Sequence, residues 1–167
     1  MRFLCANCNG VRSKKAEIEN LIRYTSADVV LLSETKIDDS VYTAEFLPSG
    51  YKGFRKDRTS SGAGVMVVVK DCFTALEIPM ADVTGEVCWV KIDTKDNPLY
   101  VGSFCRSPAD NSPKQLLELE KSLEEISQLT ENNPSATVIV GGDFNAGDIL
   151  IGLPSLFPWE PNSATYA

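Results

Sequence analysis

The sequence predicts an α/β fold, and three features of the chain lead to that prediction. Residues 3–32 follow the pattern strand, helix, strand; later apolar runs have the length of strands; and one long apolar stripe has the period of a helix. The chain has 167 residues, of which 43% are hydrophobic and 23% charged, as in ordinary globular proteins. This length suits one domain with a sizeable core.

The first part of the chain predicts a β-α-β unit. Residues 3–6 form an apolar run that a turn closes, and Ser13 is expected to cap a helix over residues 14–24. Within that helix, Ile18, Leu21 and Ile22 fall on one face. Residues 29–32 are a continuous apolar run, which is typical of a strand buried on both faces. We expect the two strands to lie in one sheet.

The rest of the chain predicts more strands, one further helix and an irregular tail. Residues 34–53 are polar and rich in turn residues, so no strand is predicted there. Ser112 and Pro113 signal a helix start, after which leucines and one isoleucine form an apolar stripe with glutamates expected outside it. Residues 146–167 have no clear period. The later predicted strands are residues 62–69, 88–92, 99–104 and 137–140.

Histidine and cysteine usage excludes several kinds of chemistry. The chain has no His, which rules out a His general base, a His metal ligand and any nucleophile paired with His. Its five cysteines are scattered and odd in number, so we expect free thiols. Cys5 and Cys8 are spaced as in metal or redox motifs, but no second pair accompanies them and buried thiols are favoured. No signal peptide or membrane-length apolar run is found, which predicts an intracellular protein.

Charge is unevenly distributed along the chain. The net charge is −7, yet residues 1–70 hold 11 basic and 8 acidic residues, whereas residues 71–167 hold 5 and 15. The overall balance argues against strong non-specific DNA binding, while basic clusters in the first half are compatible with local contacts. Those clusters comprise Arg12, Lys14, Lys15, Lys52, Arg55, Lys56 and Arg58.

Polar residues follow three of the predicted strands. Asn7 ends the first strand, Glu34 follows the second, and Asp143 and Asn145 follow the last. In α/β sheets, ligands bind beyond the carboxyl ends of strands. Carboxylates and amides together suit a hard cation such as Mg²⁺. The alternative interpretation is that these residues only shape turns or cap helices.

Three short motifs in order resemble those of a known superfamily. Residues 7–14 (NCNGVRSK), 32–36 (LSETK) and 142–145 (GDFN) are similar to successive motifs of the endonuclease/exonuclease/phosphatase superfamily, in its apurinic-endonuclease-like branch. Residues 102–108 (GSFCRSP) resemble the Tyr-Arg-Pro-Pro block in endonuclease domains of non-LTR (LINE-type, jockey-like) retrotransposons. The resemblance covers about residues 2–150.

This resemblance implies a fold, a cofactor and an activity. The fold would be a partial four-layer α/β sandwich, with two mainly β sheets face to face and helices outside. The activity would be Mg²⁺-dependent hydrolysis of a DNA phosphodiester, with Mn²⁺ as an alternative metal. By motif, Glu34 and Asn7 would bind the metal, Asp143 would activate the attacking water, and Asn145 would position it; all four count as catalytic candidates.

The resemblance also implies partners and a location. Arg106 and Lys36 are candidate phosphate contacts, and Arg12 and Lys14 are candidate DNA contacts. Basic residues at a helix start oppose the helix dipole, so another partner is expected to hold them there. The implied substrate is DNA in the nucleus. The chain would be a monomer without membrane contact, and a longer parent protein would add a reverse transcriptase domain.

Two departures from the family pattern qualify these expectations. Cys105 occupies the position of the family's tyrosine, and the closing Ser-Asp-His motif is not found. The sequence therefore predicts a C-terminally truncated domain over residues 1–148 and a divergent tail over residues 149–167, with impaired activity. Three alternatives stay open: a phosphatase of the same superfamily, a non-catalytic remnant or binding module, and a chain that does not fold stably because a sheet edge is uncovered.

Overall fold

A computed structural model of the protein describes residues 1–58, 64–80, 83–107 and 114–145. Eight strands, two α-helices and one short 3-10 helix (Thr43–Glu45) are found within these residues. Neither of the two described α-helices has the length and apolar character needed to span a bilayer. In chain order the elements are β1 (Phe3–Asn7), α1 (Lys15–Thr25), β2 (Val29–Ser33), β3 (Tyr51–Lys56), β4 (Val65–Lys70), β5 (Thr74–Ile78), β6 (Val87–Asp93), β7 (Leu99–Cys105), α2 (Lys114–Thr130) and β8 (Thr137–Asp143).

The strands form two mixed sheets of four strands each. The first sheet has the order β1-β2-β4-β3 and the second has the order β5-β6-β7-β8. β1 is parallel to β2, and β7 is parallel to β8, while the other neighbouring pairs are antiparallel. The predicted β-α-β unit with both strands in one sheet is therefore confirmed.

The two sheets pack face to face, with one α-helix on each outer face. Alternate residues of a strand point to opposite faces, so one strand can serve two layers. In β2, Val29 and Leu31 contact the second sheet, whereas Val30 and Leu32 pack beneath α1. On the far side, α2 covers the outer face of the second sheet. These four layers confirm the α/β sandwich.

Helix α1 begins differently from the sequence-based prediction. The residue that caps it is Lys14, not Ser13, and no side chain bonds to the cap position. Ile18 and Ile22 are buried as predicted, but Leu21 is partly exposed. The helix ends at Ser26, whose left-handed backbone (φ +50°) lets its N–H reach the carbonyl of Ile22.

Two strands were not predicted from the sequence. β3 and β5 lie at the outer edges of their sheets. Each has a neighbour on one side only among the described strands, and both carry polar residues without a clear apolar alternation. Such edge strands have weak sequence signals because little of their surface is buried.

Helix α2 contains one buried carboxylate that the sequence places outside. Leu119, Leu123 and Ile126 are buried as predicted, and Leu129 is exposed. Glu118 is also buried, because it accepts a hydrogen bond of 2.9 Å from the backbone N–H of Thr84. That hydrogen bond lowers the pKa of Glu118. Three of the sequence-based predictions lie outside the described residues. They are the helix start at residues 112–113, the strand start at residues 62–63 and the tail at residues 149–167.

Candidate active site

The polar residues predicted at strand ends meet at one end of the sandwich, here called the site end. Asn7 pairs in register with Ser33 at the ends of two parallel strands, β1 and β2. Asp143 likewise pairs with Cys105 at the ends of β7 and β8. β1 and β8 each lie at one edge of their own sheet, opposite β3 and β5, and contact each other across the sandwich. This topology brings Asn7, Glu34 and Asp143 together although they are far apart in sequence.

The amide of Asn7 bridges the two carboxylates of the site. Its Nδ2 atom donates to Oε1 of Glu34 at 2.9 Å and to Oδ2 of Asp143 at 2.8 Å. Its Oδ1 atom accepts the backbone N–H of Asn9 at 2.9 Å, which fixes the orientation of the amide. Two acidic side chains from different sheets thus converge on one nitrogen atom.

Glu34 is held in an unusual backbone conformation. Glu34 and Lys36 both have left-handed φ values, +52° and +50°, which cost non-glycine residues roughly 1–3 kcal/mol each and are concentrated at functional sites. The N–H of Gly10 donates to the carbonyl of Glu34 at 2.8 Å and holds this conformation. The hydrogen bond from Asn7, followed by that from Lys36 at 3.0 Å, lowers the pKa of Glu34. Its side chain is therefore an anion near neutral pH.

Asn9 has a larger role than the turn residue that the sequence suggests. It has a left-handed φ of +42°, and its side-chain oxygen accepts a hydrogen bond from Lys36. Lys36 therefore bridges Asn9 and Glu34. The spacing Asn-x-Asn is the sequence signal that could have indicated this role, since it places two amides on one turn.

Asp143, Asn145 and Arg106 form a second hydrogen-bonded group. Oδ1 of Asp143 accepts the backbone N–H of Asn145 at 3.1 Å, and the Asn145 amide donates to the carbonyl of Arg106 at 2.6 Å. Arg106 is buried rather than exposed, and its Nη1 atom donates to the carbonyl of Asn145 at 3.4 Å. Among the described residues, its Nε atom has no hydrogen-bond partner. The predicted phosphate contact thus lies within the wall of the site.

The predicted basic DNA contacts have protein partners. Arg12 forms a 2.9 Å ion pair with Asp38, and the side chain remains about half exposed (49%). The ammonium of Lys14 donates to the carbonyl of Cys8 at 2.9 Å. Lys15 pairs with Glu45. These partners explain how basic residues are tolerated at the start of α1, where the helix dipole disfavours them.

The cysteines are not poised for chemistry. All five lie within the described residues and none forms a disulfide. Burial raises the pKa of Cys8 to about 11 and that of Cys105 to about 12. Cys5 is exposed, contrary to the prediction of buried thiols at both positions, yet partial burial of its thiol still raises its pKa. These three thiols near the site are protonated at neutral pH, which argues against nucleophilic or thiolate-ligand roles.

The donor atoms of the site suit a hard divalent cation. Two carboxylates converge on the amide nitrogen of Asn7, which is exposed to solvent, and each carboxylate oxygen has a second lone pair that could bind a metal. In the described part of the chain, no group of three or more His, Cys, Asp or Glu side chains could hold a metal. Mg²⁺ is commonly bound through one or two carboxylates and retains several waters, so the donor set fits it. Zn²⁺ prefers nitrogen and sulfur ligands, which this site does not offer.

Comparison with solved structures shows the same fold in three nucleic-acid enzymes. The endonuclease domain of TRAS1, a telomere-specific non-LTR retrotransposon, has a TM-score of 0.61 at 21% identity, over 87% of this chain and 60% of that one. The AP endonuclease LMAP from Leishmania major has a TM-score of 0.68 at 17% identity, over 87% and 55%. The 3′ phosphatase NExo from Neisseria, solved with a product DNA hairpin, has a TM-score of 0.63 at 18% identity, over 87% and 58%.

A sequence comparison identifies the family. The chain spans a little more than half of each of these three solved chains. No curated protein matches it in sequence. The sequence model of one family matches residues 4–165, which is nearly the whole chain. The chain therefore belongs to the Endonuclease/Exonuclease/phosphatase family.

Proposed function

We propose that the chain is the catalytic part of a divalent-metal-dependent DNA endonuclease, with Mg²⁺ as the metal and Mn²⁺ as its substitute. One observation carries the proposal: a single amide, that of Asn7, joins a Glu34 carboxylate from one sheet to an Asp143 carboxylate from the other. Family membership supports hydrolysis of phosphate esters, and the TRAS1 and LMAP neighbours support DNA as the substrate.

In this proposal, Glu34 holds the metal through its carboxylate and Asn7 through Oδ1, because the amide nitrogen cannot ligate a metal. The hydrogen bonds from Nδ2 to the two carboxylates belong to the metal-free site. Glu34 is anionic because Asn7 and Lys36 donate to it, and anionic oxygen is the ligand that a hard cation prefers. Lys36 neutralises part of that charge when the metal is absent. When bound, Mg²⁺ would stabilise negative charge on the phosphate and on the departing oxygen.

Asp143 is proposed as the general base. It takes a proton from a water molecule, whose oxygen bonds to phosphorus as the bond from phosphorus to the 3′ oxygen breaks. The products are a 3′-hydroxyl, protonated from solvent, and a 5′-phosphate. The backbone N–H of Asn145 donates to Asp143 and holds Asn145 beside it. The carbonyl of Arg106 accepts the Asn145 amide and stabilises this turn. Three basic residues are proposed to contact the DNA phosphates, namely Lys36, Arg12 and Lys14.

Finer points of the proposal follow from the TRAS1 neighbour. TRAS1 is a telomere-specific non-LTR retrotransposon, so its likeness to this chain supports target-site nicking in a nucleus. The same likeness supports a longer parent protein that also carries a reverse transcriptase domain. We further propose that the chain acts as a monomer and that residues 1–148 form its catalytic domain. Sedimentation of the purified chain would test the first of these two points, and limited proteolysis would test the second.

Nicking of supercoiled plasmid tests the proposed activity. Wild type is expected to convert plasmid to the open circle with Mg²⁺ or Mn²⁺ and to lose this activity with a chelator. Glu34→Gln and Asp143→Asn keep shape but remove charge, so each should slow nicking by at least about a hundredfold. Folded protein that nicks equally well in all three forms would contradict the site assignment.

Phosphatase activity is the second candidate function. The fold is shared with the 3′ phosphatase NExo, which motivates the comparison. A DNA duplex with a 3′-phosphate at an internal gap and a soluble phosphomonoester should be tested beside the plasmid. Release of phosphate without nicking would favour the phosphatase, whereas turnover of none of the three substrates by folded protein would favour a non-catalytic remnant.

A further inference from the structure

We propose that Glu86 is a positioning residue that holds the two halves of the active site in register. It lies just before β6, is not one of the proposed metal ligands, and only 7% of its surface is exposed. The proposal rests on the proposed function in one respect, namely that Glu34 binds the metal. Its geometric basis is independent of that assignment.

The side chain of Glu86 reaches the first sheet through Gly64. Its Oε2 atom accepts the backbone N–H of Gly64 at 3.1 Å, and the carbonyl of Gly64 accepts the N–H of Thr35 at 3.1 Å. Thr35 is fully buried and lies between Glu34 and Lys36, the two left-handed residues of the site. A chain of two hydrogen bonds therefore runs from Glu86 to the strained segment that presents Glu34.

The backbone of Glu86 reaches the second sheet. Its carbonyl accepts the N–H of Cys105 at 3.0 Å. Cys105 pairs in register with Asp143, and the next N–H, that of Arg106, donates to the carbonyl of Asp143 at 2.8 Å. One residue thus connects by hydrogen bonds to the segments that carry both carboxylates.

Two further features show that this link is built tightly. Gly64 has a φ of +90°, and a Cβ atom there would lie 2.5 Å from Oγ1 of Thr35, so the contact leaves no room for a side chain. The other carboxylate oxygen of Glu86 accepts Nη1 of Arg58 at 2.7 Å, which compensates the buried charge. A buried N–H donor without an acceptor is costly in free energy. The donors bonded to Glu86 are therefore held in place by its carboxylate, which orients the residues that carry them.

The carboxylate of Glu118 provides a matched control. It is buried to a similar degree, 8% exposed, and also accepts a backbone N–H from a loop, that of Thr84. It has no described hydrogen bond to the segments that carry Glu34 and Asp143. Glu118→Ala should therefore lower stability as Glu86→Ala does, by loss of an acceptor for a backbone donor. Because Thr84 lies two residues before Glu86, this variant also tests whether loosening the loop alone disturbs the site, and we expect that it does not.

Hydrogen exchange of individual amides in the metal-free protein is the first readout. In Glu86→Ala, the amide of Thr35 should exchange about tenfold faster relative to the most protected core amides. Glu86→Gln should retain most of the protection, since its amide oxygen can still accept from Gly64. In Glu118→Ala, the relative exchange of Thr35 should stay at the wild-type value.

Mn²⁺ affinity, followed by electron paramagnetic resonance, is the second readout. Glu86→Ala should weaken binding by about tenfold, as does loss of partners that orient metal ligands, and Glu118→Ala should not. Equal Thr35 exchange and equal Mn²⁺ affinity in the two alanine variants would overturn the proposal. If wild type binds no Mn²⁺, the metal assignment fails instead, and the exchange of Thr35 alone decides the role of Glu86.

Discussion

At the scale of single residues, the site depends on one amide. Asn7 donates to both Glu34 and Asp143, and both of its amide protons are used in this way. The sequence motif predicts that Asn7 lies near Glu34, but the bridge to Asp143 depends on how two sheets pack. A contact across 136 positions of sequence has no local signal.

Replacement of Asn7 should change the titration of Glu34. Because the Asn7 hydrogen bond is the largest cause of the lowered pKa of Glu34, Asn7→Ala should raise that pKa towards its ordinary value of 4.5. Carboxyl ¹³C NMR measures it directly. Asp38, whose pKa is lowered chiefly by Ser40, is an internal control that should not move. An unchanged Glu34 pKa in Asn7→Ala would show that the bridge is not formed.

The same pKa shift predicts how stability depends on pH. The folded pKa of Glu34 lies below its unfolded value, so its bonds stabilise the protein fully above about pH 4.5 and this contribution is lost as pH falls through the folded pKa. Asn7→Ala should therefore have a lower free energy of unfolding than wild type at pH 7, and this difference should narrow below pH 4. Urea unfolding at pH 7 and below pH 4 measures the difference. A difference that does not depend on pH would contradict the prediction.

At the scale of elements, the penultimate residue of β8 is a glycine that no other residue can replace. Gly142 has a φ of +140°, and a Cβ atom there would lie 1.9 Å from the carbonyl oxygen of Phe104. Asp143 follows directly. The position of the Asp143 carboxylate, the proposed general base, thus depends on the close approach of β7 and β8.

Gly142→Ala should destabilise the protein strongly. Because the clash is with backbone, the strands must separate, and we expect a loss of at least about 3 kcal/mol in the free energy of unfolding. Gly50→Ala is a matched control, with a φ of +86° but nothing within 4 Å of a Cβ atom, and should cost about 1 kcal/mol. Equal losses in urea unfolding would show that β7 and β8 are not in such close contact.

Helix α2 offers a second comparison at this scale. Ile126 is 1% exposed within the core under α2, and Leu129 is 56% exposed on the same helix. Ile126→Ala should lower the free energy of unfolding by about 2–5 kcal/mol, because buried apolar surface is lost and a cavity forms. Leu129→Ala should stay within about 0.5 kcal/mol of wild type. Similar costs, measured by urea unfolding, would contradict the packing of α2 on the second sheet.

At the scale of the whole molecule, the helices and the apolar strands could be predicted, including the edge strands β1 and β8, whereas the polar edge strands could not. β2 and β7 are buried apolar runs, and α2 has a clear apolar period, so each has a strong local signal. The polar edge strands β3 and β5 have none. The buried Glu118 also escaped prediction, because its acceptor role depends on a loop residue distant in sequence, Thr84.

The candidate site shows the same division. Motifs predicted its members Glu34, Asp143 and Asn7, because polar residues at strand ends gather at one edge of an α/β sheet. They did not predict that Arg106 is buried or that Glu86 connects the two sheets, since both features arise from packing between distant segments. Local motifs therefore predicted which residues lie together at the site end, and the fold determines how they are held.

Mn²⁺ binding tests most directly whether Glu34 and Asn7, beside the proposed general base Asp143, form one divalent-cation site. Electron paramagnetic resonance titration of wild type should show one site, and Glu34→Gln should weaken it by at least about tenfold, because the anionic ligand is lost. Asp93→Asn serves as the control, because Asp93 lies at the end of β6 that is farther from the site. This variant should bind Mn²⁺ as tightly as wild type does. Equal Mn²⁺ affinity in wild type and Glu34→Gln would contradict the account.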